Sequence, residues 1–87
     1  MKKLTIEKIE NSLITLKDEY NNTYQKNFIL YDIEKPKEKD IMMIPESILK
    51  EQNIFNFGKV DETHIKKDEL IKIINKEKEY YIQRYYG

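Results

Sequence analysis

Over the first sixty residues the apolar side chains recur at every second position in short bursts, none of them long enough to write a helix. Leu4-Thr5-Ile6-Glu7 alternates apolar with polar, Ile14 and Leu16 share a face, and so do Tyr24, Phe28 and Leu30. A period of two is that of a half-buried strand. Ile9 falls out of step with Leu4 and Ile6, as a residue beyond a β-bulge would. Asn11-Ser12 and the cluster Asp18 to Asn22 are turn chemistry, because asparagine tolerates positive φ. Residues 4–18 therefore read as a hairpin, followed by a strand from Thr23 to Tyr31 whose second face, with Asn27, Ile29 and Tyr31, is partly covered.

Farther along, Asp32 to Asp40 is a charged loop in which Pro36 disrupts any helix, and Ile41 to Ile44 reads as a buried strand ended by Pro45. Ile48 to Lys50 with Ile54 to Val60 predicts another hairpin across Glu51-Gln52-Asn53. From Asp61 the pattern changes: Ile65, Leu70, Ile73, Ile74 and Tyr81 recur at helical spacing, with no Gly or Pro before Gly87. Asp61 is the N-cap candidate, Glu62 suits the first turn, and Glu62 with Lys66 and Asp68 with Lys72 stand at i,i+4. The expected fold class is α+β: a small antiparallel β-barrel or strongly bent sheet, SH3-like or OB-like, over residues 1–60, with one C-terminal helix over 61–84.

A chain of 87 residues accommodates one core, and the expectation is a single domain spanning 1–87. With so small a core, association with a second copy is a natural way to gain stability. The absence of cysteine removes disulfides, thiolate zinc sites and cysteine nucleophiles, and fits a reducing compartment. No run approaches the ~20 apolar residues that span a bilayer, and Glu7, Lys8 and Glu10 interrupt any signal-peptide core. The expected location is the cytoplasm, with no membrane partner.

Sixteen basic groups balance sixteen acidic ones, and residues 1–31, 32–60 and 61–87 are each close to neutral. The long-range positive field of a general nucleic-acid binder is missing. Alanine and tryptophan are absent and fifteen lysines stand against one arginine, the usage of an A/T-rich genome. Pattern rather than the choice of Lys over Arg is therefore the evidence.

Three places carry a resemblance. Ile9-Glu10-Asn11 continues into Leu13-Ile14-Thr15-Leu16-Lys17-Asp18-Glu19; Lys37-Glu38-Lys39-Asp40-Ile41 leads into a strand; and Val60-Asp61-Glu62-Thr63 opens a charged segment. In this layout the chain resembles the small bacterial proteins grouped as domain-of-unknown-function family 3006, whose second motif reads Lys-Glu-Gly-Asp. The resemblance implies a small β-rich fold and transfers no activity or functional residue. Lys39 stands where that family usually has glycine, and the tyrosine-rich end, Tyr80 to Gly87, is an addition.

Catalytic chemistry finds little footing. His64 is the only histidine, and without cysteine a zinc site would need one imidazole and carboxylates, an unusual set. Ser12 and Ser47 lack the Gly-flanked elbow of a nucleophilic serine, and the only glycines, Gly58 and Gly87, build neither a P-loop nor a dinucleotide fingerprint. No catalytic residue, metal or cofactor is expected. Binding has two candidate sites. Tyr80, Tyr81, Arg84, Tyr85 and Tyr86 combine the residue types enriched at protein-binding hot spots, which favours a protein partner or a homodimer. Tyr24, Lys26 and Phe28 share a strand face, as the stacking platform of an OB-like single-stranded nucleic-acid binder does, against the plainer reading that these rings fill a core. The leading expectation is a non-enzymatic protein-interaction module that binds a protein partner or a second copy of itself through the region Tyr80 to Tyr86. The alternative is nucleic-acid binding, and a third is a small inhibitor or regulator from a mobile element.

Overall fold

The computed structural model describes residues 1–51, 55–60 and 70–84. The strands are β1 (Lys2–Glu10), β2 (Leu13–Lys17), β3 (Thr23–Tyr31), β4 (Ile41–Ile44), β5 (Phe55–Lys59), β6 (Leu70–Ile74) and β7 (Glu79–Arg84), with a short helix α1 (Glu46–Lys50) between β4 and β5. They close into a barrel in the order β1-β2-β3-β5-β7-β6-β4, and β4 returns to β1. Every neighbouring pair is antiparallel except β3 and β5, which run parallel. Parallel neighbours need a long crossover, here the chain through β4 and α1.

The alternation read in the sequence is the alternation of the barrel wall. Leu4, Ile6, Leu16, Met42, Ile44, Phe57, Ile71, Ile73 and Ile82 are fully buried, and Ile14 and Phe28 nearly so. Phe28 and Phe57 meet edge to face, with centroids 5.4 Å apart at an interplanar angle of 72°. That is a favourable geometry for two rings in a core without tryptophan. The register of β1 against β2 slips between Ile6 and Lys8, so the bulge signalled by Ile9 is real, and Ile9 packs against the core. At this bulge β1 exchanges main-chain hydrogen bonds with the loop that leads into β4: Ile6 N–H donates to Asp40 C=O (2.9 Å) and Lys39 N–H to Ile6 C=O (2.7 Å).

Two expectations are overturned. Ile48 to Lys50 is not a strand but the end of α1, with Ile48 and Leu49 buried and Lys50 exposed; the N-cap is Pro45, and Ile48 and Leu49 N–H both donate to Pro45 C=O at 3.1 Å. Proline has the fixed φ that suits a helix start, so Pro45 ends β4 and begins α1 at one residue. The C-terminal helix fails from residue 70 onward, where the chain forms the β6–β7 hairpin; its expected first part, 61–69, with Asp61 and His64, lies outside the described residues. Leu70, Ile73 and Ile74 fit a helical stripe, but Ile71 and Ile73, and Tyr80, Ile82 and Arg84, fit a strand equally well. Isoleucine's branched Cβ favours the strand. The turn needs neither Gly nor Pro, because the Asn75 side chain accepts from Glu77 N–H and Lys78 N–H, both at 3.0 Å. Lys72, expected to pair with Asp68 along a helix, pairs across the hairpin with Glu79 at 3.0 Å.

Candidate interaction surface

Tyr24, Lys26 and Phe28 all point to the inner side of β3. Phe28 is 2% exposed and belongs to the core, and Lys26 is 8% exposed. The Lys26 ammonium donates to Glu51 C=O at the C-terminal end of α1, where a cation also meets the negative end of the helix. Burial pulls the Lys26 pKa down, partly offset by the nearby Glu51 carboxylate. Tyr24 O–H accepts from the Lys2 ammonium (3.2 Å) and donates to Asp18 (3.5 Å). Phe28 is in the core, Lys26 is nearly buried and Tyr24 is half-buried, so the three do not form an exposed stacking platform.

Asp18 organises the β2–β3 turn. One carboxylate oxygen accepts from Tyr20 N–H (2.8 Å) and Asn22 N–H (2.9 Å), the other from the Asn22 amide (3.0 Å), and Lys2 lies 3.6 Å away. Burial pushes the carboxyl upward, but the hydrogen bonds from Asn22 and Tyr20 and the Lys2 charge outweigh it and hold Asp18 below the usual carboxylate range.

A strand separates what a helix would have gathered. In β7, Tyr80, Ile82 and Arg84 have one parity and Tyr81 and Gln83 the other. The Tyr80 hydroxyl donates to Glu34 C=O at 2.8 Å, and burial raises its pKa. Arg84 Nη1 donates to Glu51 Oε2 at 3.1 Å. Tyr81 stands on the outer face, 50% exposed, with the Lys72 ammonium 5.8 Å from its ring centroid. Tyr85 and Tyr86 lie outside the described residues.

On that outer face, strand register lines up residues that the sequence keeps far apart. Lys3 opposes Met43, Met43 opposes Lys72, and Lys72 opposes Tyr81, one row across β1, β4, β6 and β7. The next row runs Thr5, Ile41, Ile74, Glu79. Ile41, Met43, Leu70 and Ile74 are each only partly buried. Beside them Lys59, Val60, Leu70, Tyr80 and Tyr81 line a shallow, mainly apolar depression of about 410 Å³. Comparison with protein-family models, curated proteins and solved structures gives no match. The role of this surface therefore has to be argued from its chemistry.

That chemistry is an apolar group of Ile41, Met43 and Ile74, separated by Lys72 from the exposed Tyr81 ring and flanked by Lys3 and Glu79. It offers contact area and charge pairing. Among the described residues no three His, Asp or Glu side chains converge to hold a metal ion, and no helix is long and apolar enough to cross a membrane. Sequence reading passed over Ile41, Met43, Leu70 and Ile74 as surface residues. Their signal was nevertheless present: Ile41 to Ile44, and Leu70 to Ile74 apart from Lys72, are apolar at both strand parities, so once the inner parity fills the core the outer one remains on the outside of the barrel.

Proposed function

We propose that this protein is a non-enzymatic interaction module that self-associates through the outer face of β4, β6 and β7. The observation that carries the reading is that strand register gathers Ile41, Met43 and Ile74, all partly buried, beside the half-exposed Tyr81 across Lys72 on one outer face. Zero formal net charge means that two copies do not repel each other at long range. Tyr81 keeps the role expected of the tyrosine-rich end, while Tyr80 and Arg84 serve the barrel.

An OB-like kinship is supported by the meander of β1, β2 and β3, the return of β4 to β1 and the parallel pairing of β5 with β3. Kinship with family 3006 gains support from Lys39, whose φ of 77° is the conformation that favours the glycine of that family. Neither kinship supplies a ligand.

The test is solution mass by light scattering at tens to hundreds of micromolar for the native chain and for Tyr81→Ser with Met43→Glu. The new carboxylate would sit between Lys3 and Lys72, so the fold tolerates it while a dry interface does not. A native dimer that becomes a folded monomer in the variant is the expected result. A native monomer overturns self-association, and copurifying nucleic acid in the same run would turn attention to nucleic-acid binding. Deleting residues 80–87 is unsuitable, because it removes β7 and opens the barrel.

A further inference from the structure

Among the described residues, the first five residues of β3 have a strand on one side only. β2 pairs with all of Thr23 to Asn27, whereas β5 runs beside β3 only from Phe28 to Tyr31, and among the described residues no other strand pairs with β3. Phe28 N–H donates to Ser12 C=O at 2.8 Å, which sets the parity of the ladder. Even-numbered residues of β3 aim their main-chain groups at β2, so Thr23, Gln25 and Asn27 aim theirs the other way. Thr23 and Gln25 are exposed.

A cleft of about 400 Å³ runs along this side. It is lined by every residue from Thr23 to Asn27, inward-facing and outward-facing alike, so it follows the strand's edge and not either face of the sheet. Its other wall is Leu49 and Lys50 of α1, held in place by the contact from Lys26 to Glu51 C=O.

We propose that this cleft takes an extended peptide segment of a partner protein, which adds to the edge of β3 as a further strand. Donors and acceptors spaced two residues apart along an edge are matched by another extended backbone, and side-chain pockets then choose among sequences. Leu49 offers an apolar wall. Lys50 is exposed and has no carboxylate partner among the described residues, which favours an acidic side chain in the peptide. A second copy's β3 is a poor occupant, since it would bring its own β2 and α1 into a cleft walled by a helix. The site shares no residue with the outer face of β4, β6 and β7, so the inference stands apart from self-association.

The test uses amide exchange by NMR, first on the free protein and then with a blocked heptapeptide of alternating valine and glutamate at millimolar concentration. In the free protein Gln25 N–H should exchange about ten-fold or more faster than Tyr24 and Lys26 N–H, which are tied to β2. The peptide should slow Gln25 exchange by about ten-fold. The same peptide N-methylated at alternate residues should leave it unchanged. Gln25→Pro removes the edge N–H but no bond to β2, so the variant should fold and lose the peptide. A Gln25 amide already as slow as its neighbours' overturns the proposal, as does a protection that rises with protein concentration and so marks a second copy. Failure of the heptapeptide to slow Gln25, or equal binding of its N-methylated form, also overturns it.

Discussion

Lys39 holds a backbone conformation that a side chain disfavours. Its φ of 77° lies in the left-handed region, as do those of Asn11 (56°), Asn21 (65°) and Asp32 (54°), but asparagine and aspartate are at home there and lysine is not. The geometry is imposed by the loop, where Lys39 and Asp40 both bond the main chain of Ile6. Lys39→Gly should relieve roughly 1–2 kcal/mol of steric cost and lose part of that to unfolded-state entropy, a net gain of about 0.5–1 kcal/mol in urea unfolding. An unchanged or lower midpoint would mean that the lysine side chain contributes more than its backbone costs. Asp18 acts through its charge. Its carboxyl titrates below the ordinary range when folded, so its contribution is fully present above the unfolded value near pH 3.9 and is lost as pH falls through the lower folded value. Urea midpoints for the native chain should drop on acidification through this window, and Asp18→Asn should be less stable at pH 7 with a flatter acid limb. An identical acid limb in both would assign the acid sensitivity to other carboxylates.

Among the elements, the β6–β7 hairpin is the one whose sequence misleads. Its strands satisfy a helical stripe and a strand alternation together, and short apolar runs do not separate the two by periodicity. What decides is Asn75, which folds the chain back through its side-chain bonds to Glu77 and Lys78 and through a main-chain bond from its N–H to Lys78 C=O at 3.0 Å. Asn75→Ala should cost about 1–2 kcal/mol, the worth of two modest hydrogen bonds at a turn, read by chemical denaturation. A cost near zero would show that pairing of Lys72 with Glu79 and burial of Ile71, Ile73 and Ile82 hold the hairpin without help. The strands of the first half were legible because their alternation has no helical competitor: Leu4 and Ile6, or Ile14 and Leu16, stand too close for a helix face. The bulge at Ile9 was legible for the same reason, since one extra residue inverts parity.

At the scale of the whole molecule, one small core carries the stability. A chain of 87 residues is expected to hold about 4–13 kcal/mol, so Phe57→Ala, at about 3–5 kcal/mol, should remove a large share of the stability and bring a chain at the low end of that range to the edge of folding at 25 °C. Phe57 is fully buried against Phe28 on the parallel pair β3 and β5, where closure of the barrel brings the two halves of the chain together. Retained cooperative unfolding with a small loss would mean that the core collapses around the gap. By itself the sequence determined that strands dominate residues 1–44, where they turn, and which residues of β1 to β3 share a face, while it left Phe28 open between a core and a binding platform. These are local consequences of a two-residue period and of turn chemistry. Only the tertiary structure decided that residues 70–84 are a hairpin, that Tyr80 and Tyr81 part to opposite sides, and that Lys3, Met43, Lys72 and Tyr81 stand in one row. Those outcomes depend on which strands pair and in what register, and that is settled by contacts between segments distant in the chain, which no local period records.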